Sequence, residues 1–314
     1  MITEDKVTEI FCIADDFCKV FDTQMEKYTL KSNLNSCKIL FFFVFLQKRN
    51  KMLYSIITIN FNNCDGLRRT IESVVNQTND NYEYIVIDGG STDGSVDVIQ
   101  KYSDRISYWV SEKDYGIYNA MNKGVRHAHG DYLVFMNSGD CFHAPDVLSS
   151  IAGYKEDIIC GKVLKGHSTI PSGHHKSTIT LVDLMRGSLP HQAMFIKREL
   201  MVKHLYDENY KILSDWKFCI QALVFDNCTF RNSDIIVADY DISGISTNSN
   251  GLLAKEHEII LKELFPQRII DDYKRLKSVD DELFDQALLL TQTVGVRRLV
   301  KRFSNIVLRL THKK

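Results

Sequence analysis

Proline is scarce, with 4 residues in 314. That argues against long proline-rich linkers and for a chain that is folded over most of its length. Cysteine is present but unpatterned. None of Cys12, Cys18, Cys37, Cys64, Cys141, Cys160, Cys219 and Cys228 forms a CxxC pair or a Cys/His cluster with zinc spacing. They read as reduced thiols of a cytoplasmic protein, not as a disulfide framework. An excess of one charge is also missing. Lys and Arg number 39 against 40 Asp and Glu, a net charge of −1, which gives no global attraction to nucleic acid. The one long apolar run, ILFFFVFL at 39–46, falls far short of the roughly 20 residues that span a bilayer. It also lies too deep in the chain, behind acidic residues, for a signal peptide. No GxxxxGK[ST] loop occurs, and no GxGxxG follows the first strand signal, which disfavours P-loop and dinucleotide-binding sites.

Apolar residues make up 44% of the chain, enough for a full core. Residues 1–51 differ in pattern from the rest of the chain. Val7, Ile10, Phe11, Ile13, Ala14, Phe17 and Phe21 suit one amphipathic helix. The stretch VTEIFCIADDFCKVFD resembles the start of transposases from bacterial insertion sequences, over about thirty residues and without a catalytic acid of such enzymes. The expectation is an accessory or extraneous segment, arising from an upstream fusion or a misassigned start. From Tyr54 the pattern becomes regular. Strands are expected at 54–61, 82–90, 106–112 and 131–140, with helices at 67–77, 93–102 and 117–128. Such alternation implies a parallel sheet with right-handed crossover helices. Further strands are expected at 157–164, 192–200 and 235–241, a helix at 215–225, and helices from 252 to 310. The last stretch places Arg297, Arg298, Lys301, Arg302 and Arg309 beside an apolar stripe of Leu299, Val300, Phe303, Ile306, Val307 and Leu310. That pattern suits either a terminal helix packed on the domain or one lying on an anionic membrane surface.

In an open parallel sheet, ligands bind at the carboxyl ends of the strands. Those ends carry Asn60 to Asn63, Asp88 to Asp93, Glu112 to Asp114, and Asn137 to Asp140. Four acidic or amide clusters thus converge on one edge. A carboxylate-lined crevice takes a phosphorylated ligand through a divalent cation, Mg²⁺ or Mn²⁺, held by one or two carboxylates and the phosphate oxygens. This suits a nucleoside-diphosphate donor, whose departing diphosphate the metal stabilises.

The segments YSIITINFNN, YIVIDGGSTDGS, SEKDYGIYNAMNKG and GDYLVFMNSGD resemble, in order and spacing, the donor-binding half of family 2 glycosyltransferases. LPHQAMFIKREL and LSDWKF resemble its acceptor half, and the likeness is closest to members that build bacterial surface polysaccharides. It runs from about Tyr54 to about Pro266. It implies a GT-A fold, an open and mostly parallel nucleotide-binding sheet merged with a mixed acceptor half. The expected organisation is a segment at 1–51, the GT-A domain at 52–266 and a helical extension at 267–314. The resemblance implies donor-binding roles for Asn60, Phe61, Asp88, Asp114 and Asn122. It further implies Asp140 as metal ligand, Asp215 as catalytic base, and His191 and Gln192 on the acceptor side. The implied reaction is inverting, hexosyl-type transfer to a hydroxyl of a glycan or lipid-linked acceptor, on the inner side of the membrane. Three departures stand out. The usual paired acid after the second strand is Asp88-Gly89, an expected arginine aligns with Met121, and the DxD-type motif reads Asn137-Ser138-Gly139-Asp140, which predicts weaker metal affinity.

Simpler roles stand beside these. Asp93 suits a helix cap, Asp215 an N-cap, Asp140 a turn, and Trp216 the core. A metal-dependent nucleotidyltransferase would need an early basic signature, and FNNCDG has none until Arg68 and Arg69. A non-catalytic nucleotide-sugar binder is the other alternative, given the missing acids.

Overall fold

The computed structural model describes residues 53–166, 168–173, 177–242, 251–277 and 294–311. The chain divides into two units between Lys51 and Met52, and every described residue belongs to the second. The amphipathic helix expected before Met52 lies outside the described residues.

Strands β1 (Tyr54–Asn60), β2 (Tyr82–Asp88), β3 (Tyr108–Ser111) and β4 (Tyr132–Phe135) are mutually parallel in the order β3-β2-β1-β4. Helices α1 (Cys64–Val75), α2 (Ser95–Lys101) and α3 (Ile117–His127) make the crossovers. β1 is buried along its whole length because both its faces are covered. Alternate residues serve alternate faces. Ile57, Ile59, Ile85, Ile87, Leu133 and Phe135 pack with Tyr118, Met121 and Val125 of α3. Tyr54, Ile56, Tyr84, Val86 and Val134 pack with Leu67, Ile71 and Val74 of α1. Where α3 crosses β1, a Cβ on Gly124 would stand 2.4 Å from the Ile57 side chain, so only glycine permits this approach. Register aligns Asn60 with Asp88 and Asp88 with Ser111, so the polar strand ends lie level along one edge.

Beyond β4 the sheet becomes mixed. β5 (Cys141–Phe142), β6 (Ile158–Lys165), β7 (Met194–Lys197) and β8 (Phe230–Tyr240) extend it in the order β4-β7-β6-β8-β5. β7 runs antiparallel to β4 and β6, while β6 and β8 are parallel. The remaining helices are α4 (Val147–Ile151), α5 (Leu181–Arg186), α6 (Arg198–Lys203), α7 (Ser214–Ile220), α8 (Leu252–Leu264), α9 (Gln267–Lys277) and α10 (Val294–Thr311).

Several boundaries differ from those read in the sequence. β4 ends at Phe135, not Asp140, because Gly139 at φ +107 and the Asp140 N–H to Asn137 carbonyl bond turn the chain. The strand expected at 192–200 is a short 3₁₀ turn (His191–Ala193), then β7, then α6. The N–H groups of Lys197 and Arg198 bond to the Asp157 and Asp131 carbonyls, which closes the strand before Arg198 starts a helix. The helix at 215–225 begins one residue earlier and widens into a π-type turn over Gln221–Phe225.

Candidate active site

The donor-side edge is organised by Asp88. Its carboxylate is buried and receives hydrogen bonds from the Asn60 amide (2.7 Å), the Ser91 hydroxyl (2.6 Å) and N–H (2.9 Å), and the Ser111 hydroxyl (2.6 Å). Burial pushes this carboxyl up, but donors from Ser111, Ser91 and Asn60 outweigh it and hold the group below the usual carboxylate range. With both oxygens engaged, Asp88 shapes the loop after β2. The buried Asn60 Oδ1 has no hydrogen-bond partner among the described residues.

Phe61 is 66% exposed at the end of β1. It meets Gly89 and Asp114 at one point. A Cβ on Gly89 would lie 3.0 Å from Asp114 Oδ2 and 3.2 Å from Phe61 Cδ2. This bare backbone, flanked by an aromatic ring and a carboxylate, forms a shallow cradle. Lys123 closes one side, at 2.7 Å from both Asp114 and Glu112. Burial pushes the Asp114 carboxyl up against the pull of Lys123, with Glu112 and Asp88 adding to the rise. Asn122, which the resemblance places at the donor, is buried, and its amide donates to the Tyr206 carbonyl (2.8 Å) and Glu208 (2.9 Å) and accepts from the Tyr206 N–H (3.0 Å). These bonds brace α3 against residues 206–208. Met121, at the expected arginine position, is buried in the core. Asp93 is a loop acceptor, taking the Cys64 N–H at 2.8 Å and the Ser95 hydroxyl at 2.6 Å.

Asp140 is 4% exposed at the turn after β4. Its Oδ1 accepts the Asp241 N–H at 2.9 Å, and Gln192 also hydrogen-bonds to it. Burial pushes its carboxyl up to about 6, against the pull of those bonds and of His191. Pairing of β5 with β8 brings Asp241 here, and a Cβ on Gly139 would stand 2.8 Å from Asp241 Oδ2. Among the described residues no group of three His, Cys, Asp or Glu side chains forms a complete metal cage. The donors present are nevertheless hard oxygens. They comprise a buried carboxylate whose charge is poorly balanced and the buried Asn137 Oδ1, which has no partner among the described residues. This set fits a cation that draws its other ligands from a diphosphate and water.

Asp215 lies in the first turn of α7. Its Oδ1 accepts from the Tyr118 hydroxyl at 3.0 Å and the Trp216 N–H at 2.9 Å. Its Oδ2 stands 3.4 Å from His191 Nδ1, and His191 Nε2 is 3.2 Å from the Asn137 amide nitrogen. His191 therefore links Asp215 to the motif carrying Asp140. Burial lowers its imidazole, but Asp215 and then Asp140 outweigh that and raise it. The structure brings His191, Gln192, Asp140 and Asp215, all singled out in the sequence, into contact, and adds Asp241 and Tyr118, which were not. The polar end of the strand read at 235–241 was a signal for Asp241, whereas Tyr118 looked like an ordinary core residue.

Residues 55–211 match the family model described as Glycosyl transferase family 2. A Mycobacterium tuberculosis protein called an uncharacterized glycosyltransferase is 34% identical over 213 residues, spanning 62% of this chain and 77% of the relative. A PGL/p-HBAD biosynthesis glycosyltransferase of Mycobacterium bovis is 28% identical over 206 residues, covering 63% of this chain and 80% of the relative. Among solved structures, S. aureus TarS 1-349 in complex with UDP-GlcNAc aligns with a TM-score of 0.51 at 18% identity, over 60% of this chain and 58% of that one. The mannosyltransferase PcManGT from Pyrobaculum calidifontis, in complex with GDP-Man and Mn²⁺, gives 0.54 at 13% identity over 86% and 88%. At these identities the structural likeness establishes the fold, GT-A.

Proposed function

This chain belongs to glycosyl transferase family 2 and is a glycosyltransferase; we propose that it transfers a hexosyl group from a nucleoside-diphosphate donor to an acceptor hydroxyl with inversion, assisted by a divalent cation. The observation that carries this reading is that His191 joins Asp215 to the Asn137–Asp140 motif. The exposed Phe61 ring, the bare Gly89 backbone and Asp114 receive the donor's base and ribose. Asn60 and Asp88 hold the loop that presents them, and Asn122 holds α3 in place from behind. Asp140 and Asn137 would hold the cation. When bound, it supplies charge neutralisation to the departing diphosphate. His191 and Gln192 sit between the two carboxylates, on the path an acceptor must take. Asp215 accepts the hydroxyl proton as the hydroxyl oxygen attacks the anomeric carbon. A single direct displacement inverts that centre and needs no glycosyl-enzyme intermediate. The donors bound in the two structural neighbours, UDP-GlcNAc and GDP-Man, support a nucleotide-sugar substrate, and the Mn²⁺ of the second supports the cation.

The acceptor in this reading is a growing glycan or a lipid-linked sugar at the cytoplasmic face of the membrane. Among the described residues no helix is long and apolar enough to cross a membrane. α10 exposes Leu299 and Phe303 beside Arg298, Lys301 and Arg302, a pattern suited to peripheral contact with anionic lipid. Co-sedimentation with anionic but not zwitterionic vesicles tests that contact. The catalytic reading is tested by thermal shift with UDP, GDP and their sugars, with and without Mn²⁺. One nucleotide is expected to stabilise the wild-type chain far more in the presence of Mn²⁺, and Asp140→Asn to lose that increment. An increment unchanged in Asp140→Asn would remove Asp140 from the metal site. No stabilisation by any nucleotide would remove the reading itself.

A further inference from the structure

Residues 211–213 run directly into α7 and the base it carries. Their three successive backbone N–H groups point at one side chain. Glu256 Oε1 accepts from Lys211 at 2.7 Å, and Oε2 accepts from Ile212 at 2.9 Å and Leu213 at 3.0 Å. Glu256 is 5% exposed and comes from α8, more than forty residues further along the chain and beyond the segment matched by the family model. The side chain at the N-cap of α7, Leu213, offers no acceptor of its own. One of these residues, Ile212, also reaches Asp215 through Tyr118. The Ile212 carbonyl accepts the Tyr118 hydroxyl at 2.5 Å, and that hydroxyl also lies 3.0 Å from Asp215 Oδ1. Further along α8, Glu263 holds the Tyr210 hydroxyl at 2.7 Å and the Lys217 ammonium at 2.6 Å. His257 stacks on Trp216, with ring centroids 4.5 Å apart. α8 thus grips the chain on both sides of Asp215, and of these contacts it is Glu256 that holds the backbone leading into it.

We propose that Glu256 is a positioning residue for the base. By fixing the N–H groups of residues 211–213, its carboxylate sets the distance of Asp215 from His191 and from the incoming hydroxyl. The inference rests on the reading of Asp215 as the base. Its physical logic is that a misplacement of about 1 Å at the reacting group costs up to about a hundredfold in rate, even when the causal residue never touches substrate. A glutamine at 256 keeps one acceptor oxygen but turns an NH₂ group toward N–H groups that need an acceptor. The backbone must then shift, and Asp215 moves with it. The donor cradle of Phe61, Gly89 and Asp114 makes none of these contacts.

The test compares Glu256→Gln, Asp215→Asn and the double variant in the full chain. Turnover is read as nucleoside-diphosphate release, with water as acceptor, from whichever nucleotide sugar raises the melting temperature most. Glu256→Gln is expected to lower kcat by about ten- to a hundredfold while the Kd for UDP or GDP stays within about twofold of wild type. Because Glu256 acts through Asp215, the double variant is expected to be no slower than Asp215→Asn alone. Wild-type kcat in Glu256→Gln, or a double variant slowed by the product of the two single effects, would overturn the inference. Wild-type turnover in Asp215→Asn would instead remove the base reading and the inference together. Should Glu256→Gln fail to fold, Glu256→Asp retains the charge on a side chain one methylene shorter. It is expected to show reduced kcat with unchanged nucleotide Kd, and a wild-type kcat there overturns the inference equally.

Discussion

Asp140 is buried and Asp215 half-buried, and the two carboxylates meet different surroundings. Asp215 is met by the Tyr118 hydroxyl, the Trp216 N–H and the His191 ring, which hold it in the orientation proposed for the base. Asp215→Asn is expected to leave nucleotide and Mn²⁺ affinity unchanged and to lower turnover by about 10² or more, as for loss of a general base. The N-cap of α7 is Leu213, not Asp215, so wild-type turnover at saturating substrate would leave Asp215 a structural residue of the first turn. Asp140 has a carboxyl pushed by burial from 3.8 to about 6. A raised acid binds its proton more tightly folded than unfolded, so its charge destabilises the metal-free fold above pH 6. That cost disappears as pH falls toward the unfolded value. Asp140→Asn should therefore stabilise the metal-free chain by up to about 3 kcal/mol at pH 7, a gain that shrinks as pH falls through 6 and is small near pH 4. Equal pH profiles in chemical denaturation would show that the buried charge is already balanced. In the sequence, the identity of both acids was visible from their motifs. The contacts that surround them were not, because Asp241, Gln192 and His191 arrive from distant strands and turns.

The elements that place these groups were legible to unequal degrees. β1, β2 and their crossover helices were readable because both faces of the strands are covered, giving near-continuous apolar runs bounded by polar ends. Four of those ends reach one edge, as the parallel arrangement demands. The second half was less legible. β8 starts at Phe230, five residues before the apolar run IIVADYD, because Phe230, Arg231 and Asn232 pair with β6 through the backbone while Arg231 and Asp234 stay exposed. A strand held by pairing and not by burial leaves no period in the sequence. The loop after β2 lies between these cases. Its Gly89 could be seen as a departure from the paired-acid pattern, and the structure gives that departure a reason, since Phe61 and Asp114 close over it. Gly89→Ala should therefore preserve the fold, because the Phe61 ring is exposed and can swing away. It should also weaken nucleotide binding by about tenfold, equivalent to about 1.4 kcal/mol. Isothermal titration with the preferred nucleoside diphosphate measures this. An unchanged Kd would place the base elsewhere on the edge.

For the whole molecule, the issue is how much chain the catalytic unit requires. β1 is a central strand, paired with β2 on one side and β4 on the other, so it has no free edge for an earlier segment to cover. Its entry is secured by Leu53, whose N–H bonds to the Asp131 carboxylate at 3.0 Å and whose carbonyl accepts the N–H groups of Asp131 and Tyr132. Those bonds begin after Met52, where the chain also divides into its two units. Among the described residues two cores form, one on either face of the sheet, and the residues placed at the site run from Asn60 to Asp241. A chain beginning at Met52 is therefore expected to fold, bind nucleotide and turn over like the full chain. Loss of a segment that contributes under about 1 kcal/mol shifts the melting temperature of a domain this size by no more than about 2–4 °C. A larger fall, or insolubility, would show that residues 1–51 complete the core. A preserved melting temperature with lost turnover would instead assign them to the acceptor. Differential scanning calorimetry alongside nucleoside-diphosphate release separates the three outcomes, since the first measurement reads the fold and the second reads the site.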